Sequence, residues 1–338
     1  MSVLKIYSEK DISSVLKRRA GETKFGEKIS FVEKLEDLKA HPSKYVLLGI
    51  PEDIGVRANY GNSGTSKAWE AALGALLNIQ YNYLTNAENL ILLGEIGCED
   101  QMKQAESLMN SEGYNVESLG ELVSEIDKKV APVIEQIIAA GKFPIVIGGG
   151  HNNSYGNLKG ASKGLKKKIN CINFDAHTDF RSLEHRHSGN GFSYAFKDGY
   201  LGKYFIFGLH RNYTSEAVFK TMKENPERID FNLFEDISVK QTLSFSEGMK
   251  EAEHFCCDKN FGIELDMDTI EMMGSSALTP SGFSVTEART FVSYFSKNTQ
   301  ACYLHICEGA PPLGMFPNQV GKTIAYLISD AISDFEDL

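Results

Sequence analysis

The sequence predicts a three-layer α/β/α domain with a central, mainly parallel sheet. Three observations carry this. Short runs that are apolar throughout recur along the chain, as at Pro144–Ile147 and Phe261–Leu265. Helix-length stretches separate them. Glycines and acids stand at the ends of the runs, where turns are needed. A strand apolar on both sides must be covered on both, and helical crossovers between such strands set them parallel.

Taken in order, residues 1–40 are charged and irregular, with a helical stretch at Phe31–Leu38. They are expected to form a peripheral N-terminal segment, and residues 41–338 a single domain. Strand Tyr45–Ile50 leads into helix Thr65–Leu77, and strand Leu90–Leu93 into the long helix Glu117–Ala140. Strands Pro144–Ile147, Asn170–Phe174 and Tyr204–Phe207 follow, then helix Ser215–Glu224. Strand Phe261–Leu265, helix Thr286–Phe295, strand Ala301–Ile306 and helix Asn318–Ile332 complete the alternation. No linker, low-complexity tract or internal repeat interrupts it. Ligands of such sheets bind beyond the carboxyl ends of the strands.

Bulk properties narrow the function. The 338 residues are 42 % hydrophobic, enough for a sizeable core, and the formal charge of -10 argues against nucleic-acid or anionic-membrane partners. No apolar run approaches the roughly 20 residues of a spanning helix. The start, Met1 to Ile6, lacks the apolar core of a signal peptide. The six cysteines show no Cys-x-x-Cys pairing, and Cys256-Cys257 is a poor disulfide pair, so reduced thiols in a cytoplasmic protein are expected. The expected partner is a small-molecule substrate.

Four segments end strands with metal-capable side chains. The densest is Asp175-Ala-His177-Thr-Asp179, where alternate residues of extended backbone project to one side. Gly148-Gly149-Gly150-His151 lets backbone turn sharply before an imidazole. A phosphate cradle is the alternative there, but the following Lys-Ser/Thr is missing. Glu264-Leu-Asp266-Met-Asp268 again spaces acids by two, and His305-Ile-Cys-Glu308 ends the last strand. Alone, His151 reads as a structural histidine and Asp-x-Asp as a turn or cap. Together, several imidazoles and carboxylates at one sheet edge suit two divalent ions with bridging carboxylates. Nitrogen and oxygen donors without thiolate favour manganese, then iron, cobalt or zinc.

These residues resemble the ureohydrolases, the family of arginases, agmatinases and formimidoylglutamases. Its signatures Gly-Gly-x-His, Asp-Ala-His-x-Asp and a late Asp-x-Asp read here as Gly148–His151, Asp175–Asp179 and Asp266–Asp268. The resemblance runs from about Val46 to the C-terminus. It implies an arginase-like fold with two Mn2+ ions. One ion would take His151, Asp175, Asp179 and Asp266; the other would take Asp175, His177, Asp266 and Asp268. Asp175 and Asp266 would bridge. A hydroxide between the ions would attack an amidine-type carbon. Asp179 would orient it and pass its proton to the departing amine, and Glu308 would pair with the cationic C=N group. A homo-oligomer is also expected, since relatives form closed assemblies.

Within the family, Gly55-Val-Arg57-Ala-Asn59-Tyr-Gly61 resembles the Gly-Val-x-x-Asn-x-Gly pattern of formimidoylglutamases, and the triple glycine leans the same way. The expected reaction is N-formimino-L-glutamate and water to L-glutamate and formamide, in histidine degradation. Ser188-Gly189-Asn190 resembles the arginase loop that reads an α-carboxylate, but Phe192 stands where arginases carry a proton-shuttling histidine. Arginase, agmatinase or another guanidino-acid hydrolase is the alternative, and a metal-binding regulator without catalysis is the alternative of another class. A substrate with two carboxylates needs cations. Arg57, Asn59, Arg186, Ser188 and Asn190 are expected to bind it, with Arg186 first; Arg181 and Arg211 also lie in loops near the motifs. Glu264 departs from the serine common in the family.

Overall fold

The computed structural model describes residues 3–110 and 113–333. Strands are numbered in chain order: β1 (Leu4–Ile6), β2 (Tyr45–Gly49), β3 (Leu90–Ile96), β4 (Met109–Asn110), β5 (Gly113–Tyr114), β6 (Phe143–Ile147), β7 (Ile169–Phe174), β8 (Leu201–Leu209), β9 (Ile229–Leu233), β10 (Phe261–Asp266) and β11 (Ala301–Cys307). Among the described residues, one nine-stranded sheet runs β1-β3-β2-β6-β11-β10-β7-β8-β9, and β4-β5 is a separate small ribbon. Every pairing in the large sheet is parallel except that of β1 with β3. The fold is therefore the three-layer α/β/α arrangement that the apolar strands and intervening helices imply.

The two outer layers follow from the period-two geometry of the strands. Leu47, Ile145, Ile172, Ile263 and Leu304 face one helical layer, which includes helices 68–76, 245–256, 285–296 and 319–332. Val46, Val146, Cys171, Tyr204 and Tyr303 face the other, built largely on helices 116–139 and 154–165. Both sets are buried, and each fully buried large aliphatic side chain contributes roughly 1.5–3 kcal/mol by leaving water. Helix 154–165 lies close on helix 116–139. A Cβ at Gly156, Gly160 or Gly164 would stand 2.8, 2.5 or 2.8 Å from Val130, Ala131 or Ile138.

Residues 3–40 lie at the sheet edge, yet they belong to the fold. β1 pairs with Gly94–Ile96, Ile12, Phe25 and Leu38 are buried, and Tyr7 donates to Glu95 at 2.7 Å. All six cysteines are free of disulfides. No helix among the described residues is long and apolar enough to cross a membrane.

Sheet order places the site. β6, β11, β10 and β7 are consecutive neighbours, and their registers pair Ile306 with Ile147, Asp266 with Cys307 and Leu265 with Phe174. The carboxyl ends of these four strands are thus level. Gly148–His151, Glu308, Asp266–Asp268 and Asp175–Asp179 leave the sheet side by side, although they are spread over more than 150 residues of chain.

Candidate metal centre

His151 is fully buried at the centre of the cluster. Its Nδ1 lies 2.8 Å from Asp179, 3.1 Å from Asp266 and 3.3 Å from Asp175. Donor atoms of these four residues lie within 4.8 Å of one another. His177, Asp266 and Asp268 form a second such group, so Asp266 belongs to both. Asp175 also faces His177, with Oδ1 3.5 Å from the ring Nδ1.

Local backbone explains the convergence. Gly148 and Gly149 take φ of 89° and 71°, and a Cβ on Gly149 would sit 2.2 Å from Asn153 and 2.6 Å from Glu52. Only glycine fits this turn. Glu52, fully buried, accepts from Gly150 N at 3.0 Å, Asn152 Nδ2 at 3.2 Å, Asn153 Nδ2 at 2.6 Å and Ile54 N at 2.7 Å. It therefore pins the loop that carries His151. Asn173 orients Asp175 with a 2.8 Å bond, and Ala277 N donates to Asp268 at 3.0 Å. Asp179 and Glu308 hold left-handed φ of 43° and 59°. Such strain gathers at functional sites, and a glutamate there is an outlier.

The electrostatics are those of crowded acids. Burial raises Asp179, and the Asp175 charge raises it further. Burial and the neighbouring Asp268 and Asp175 push Asp266 well above the ordinary range. Burial also raises Asp268. Burial would lower His177, but the Asp175 hydrogen bond and charge outweigh it and lift the ring to about 10. Carboxylates forced this close hold protons unless cations neutralise them. The two groups supply nitrogen and oxygen donors without thiolate, so the residues fit hard-to-borderline divalent ions.

The cluster floors a cleft of about 410 Å³ whose walls include Asn59, Arg181, Ser188, Tyr213 and Glu308. Glu308 Oε1 accepts from His151 N at 2.6 Å, whereas Oε2 has no protein hydrogen bond. Burial and Asp268 lift this carboxyl to about 8. Tyr213 stacks on His177, ring centres 5.0 Å apart.

Asn59 and Ser188 reach the cleft and bond each other at 3.1 Å. Arg186 does not reach it, and this corrects the sequence expectation. It is 5 % exposed and bonds Asp127 at 3.1 and 3.3 Å, Asn190 at 2.7 Å and Asn152 O at 2.9 Å. Its guanidinium lies between the rings of Tyr155 and Tyr194, at 5.1 and 5.0 Å. Asn190 is likewise inward, joining Arg186 to the carbonyl of His185. Arg57 pairs with Asp53 at 2.6 Å and Arg211 with Glu235 at 3.6 Å, neither lining the cleft. The arginine that does line it is Arg181, half-exposed, donating to Asn59 at 2.5 Å. Phe192 is buried edge-on against His151 at 5.1 Å, and burial holds His187 down to about 4.

Fold and site together define a three-layer α/β scaffold with an acid-rich, metal-capable centre at its strand ends, and comparison with known proteins agrees. The Arginase family model matches residues 43–332, so the chain belongs to the Arginase family. A formimidoylglutamase of Chromobacterium violaceum is 31 % identical over 182 residues, and the match spans about half of each chain, 52 %. One from Geobacillus sp. is 28 % identical over 277 residues, covering 79 % of this chain and 76 % of that one. Among solved structures, formimidoylglutamase from Bacillus subtilis superposes with TM-score 0.72 at 18 % identity, covering 93 % of this chain and 92 % of that one. Trypanosoma cruzi formiminoglutamase with Mn2+2 gives 0.72 at 19 %, covering 92 % and 97 %. Arginase from Bacillus caldovelox gives 0.66 at 19 %, covering 88 % and 99 %.

Proposed function

We propose that the chain is a formimidoylglutamase that hydrolyses N-formimino-L-glutamate to L-glutamate and formamide. The observation that carries this is the level arrangement of His151, Asp175, His177, Asp179, Asp266 and Asp268 under a cleft that Arg181 and Glu308 flank. The relatives' names support the substrate.

His151, Asp175, Asp179 and Asp266 would hold one Mn2+, and Asp175, His177, Asp266 and Asp268 the other. When bound, such a pair polarises a C=N group and lowers the pKa of water into the neutral range. The protein's own groups do the rest. Asp179 takes a proton at its carboxylate from the attacking water and returns it to the departing nitrogen. Glu308 is fixed through Oε1 on His151 N, leaving Oε2 for the cationic C=N group; an arriving cation favours its carboxylate form. Arg181, on the rim beside Asn59 and Ser188, pairs with a substrate carboxylate. Phe192 and Tyr204, stacked at 4.4 Å, close the floor to water behind His151.

The test is a substrate panel with manganese-reconstituted protein. Glutamate and formamide release from N-formimino-L-glutamate is the expected result. Urea release from arginine or agmatine, with no turnover of the formimino compound, overturns the proposal.

A further inference from the structure

Behind the proposed ligands lies a second polar cluster, sealed from solvent. Glu264 on β10 and His305 on β11 are register partners in the parallel pair. Glu264, His305, Tyr303 and His151 are each 0 % exposed. Tyr303 donates its hydroxyl proton to Glu264 Oε1 at 2.7 Å. His305 Nδ1 meets Oε2 at 2.5 Å, and its other nitrogen faces Gly148 O at 3.3 Å. The carboxylate is thus held from two sides and cannot turn away.

His151 presents its two nitrogens to different surroundings. Nδ1 faces the three aspartates. Nε2 is buried without a hydrogen-bond partner, and Glu264 Oε2 stands 3.5 Å from it. Phe192 walls the ring with an apolar edge at 5.1 Å. A neutral imidazole carries its proton on one nitrogen only, and the bond made by the far nitrogen decides which. Ligating histidines usually pass that proton to a carboxylate or carbonyl behind them.

We propose that Glu264 is a positioning residue: it accepts the Nε2–H of His151 and so leaves Nδ1 unprotonated toward Asp175, Asp179 and Asp266. This rests on the reading of His151 as a metal ligand. Asp268 and His177 lie outside the Glu264 hydrogen bonds, so the effect belongs to one ion of the two. A purely structural carboxylate would affect both sites or neither.

The experiment is calorimetric Mn2+ titration of metal-free wild type and Glu264→Gln. The wild type is expected to take two ions. The variant is expected to bind one of them about 10- to 100-fold more weakly, the magnitude for losing such an outer partner, with the other within about threefold. Unchanged binding at both sites, or an equal loss at both, overturns the role of Glu264. Donor atoms of His151, Glu264, His305 and Cys307 also lie within 4.8 Å of one another, so a third tight ion in the wild type that Glu264→Gln loses also overturns the proposal, since these residues would then be a ligand set themselves. A wild type that takes no pair of ions defeats the metal-centre reading instead. Should Glu264→Gln fail to fold, ¹⁵N spectra of zinc-loaded wild type decide. A slowly exchanging His151 Nε2–H is expected, and a ring without a proton on Nε2 overturns the proposal.

Discussion

Arg186 gives the sharpest test of how the site loops are held. Its guanidinium is buried and joins three elements: Asp127 of helix 116–139, the carbonyl of Asn152 beside His151, and Asn190 of the 185–190 loop. Burial raises Asp127, and the Arg186 charge partly reverses the shift. Arg186→Met would strand Asp127 without a counter-ion, at a cost of about 3–5 kcal/mol. With an unfolding entropy of about 2.1 cal/mol/K per residue, that is a Tm loss of roughly 4–7 °C for the 338-residue chain. Replacing both partners with apolar residues of similar volume is often close to neutral, so Asp127→Leu in the same chain should recover most of the loss. The assay is thermal unfolding of the single and double variants, with KM for N-formimino-L-glutamate measured on each folded sample. If Arg186 instead bound a substrate carboxylate, removing it would forfeit about 1.5–3 kcal/mol, a KM increase of roughly 10- to 150-fold. A double variant that melts like wild type, yet shows such a KM, refutes the reasoning.

Three further outcomes follow. Arg181→Ala, at a half-exposed rim position, should raise KM by roughly 10- to 100-fold while shifting stability by less than about 0.5 kcal/mol; an unchanged KM removes it from substrate binding. Glu52→Gln can keep its oxygen toward Gly150, Asn152 and Asn153 but must turn its amide N–H2 toward the donors Ile54 N and Gly55 N, so urea unfolding of the metal-free protein should show a loss of about 1–3 kcal/mol. No loss would show that the glycine loop stands without it. Mn2+ affinity should fall with acid. Among the proposed ligands, Asp179, Asp266 and Asp268 are raised and His177 holds its proton to about 10, so ions must displace these protons. Titrations at pH 8 and pH 6 should differ by roughly tenfold per pH unit for each proton displaced, and equal affinities would contradict the electrostatics.

What the sequence made legible was set by physics that acts locally. The central strands are apolar on both faces, so their pattern is unambiguous; β2, β6, β7, β10 and β11 lie where the runs placed them. β9 is half-buried at an edge, with Asp230 and Asn232 within it, and gave no continuous apolar signal. Helix 154–165 was hidden because Gly156, Gly160 and Gly164 disfavour a helix locally, while the contact with helix 116–139 requires their small size. The six proposed ligands were readable because each motif ends a strand, and strand ends gather. Arg186 was misjudged because loop arginines look alike in sequence. Whether one turns to a cleft or to a buried Asp127 depends on a helix some 60 residues away. Arg181, next to the metal motif in sequence, lines the cleft instead. Glu52 left no signal, since its partners are mostly backbone amides and asparagines.

The central claim is a two-ion centre assembled from four adjacent strand ends. Anomalous diffraction at the manganese edge, on crystals of reconstituted protein, tests it most directly. The account predicts two peaks, one against His151 Nδ1 and one against His177, with Asp175 and Asp266 between them. A single peak, or manganese bound away from these residues, would contradict it.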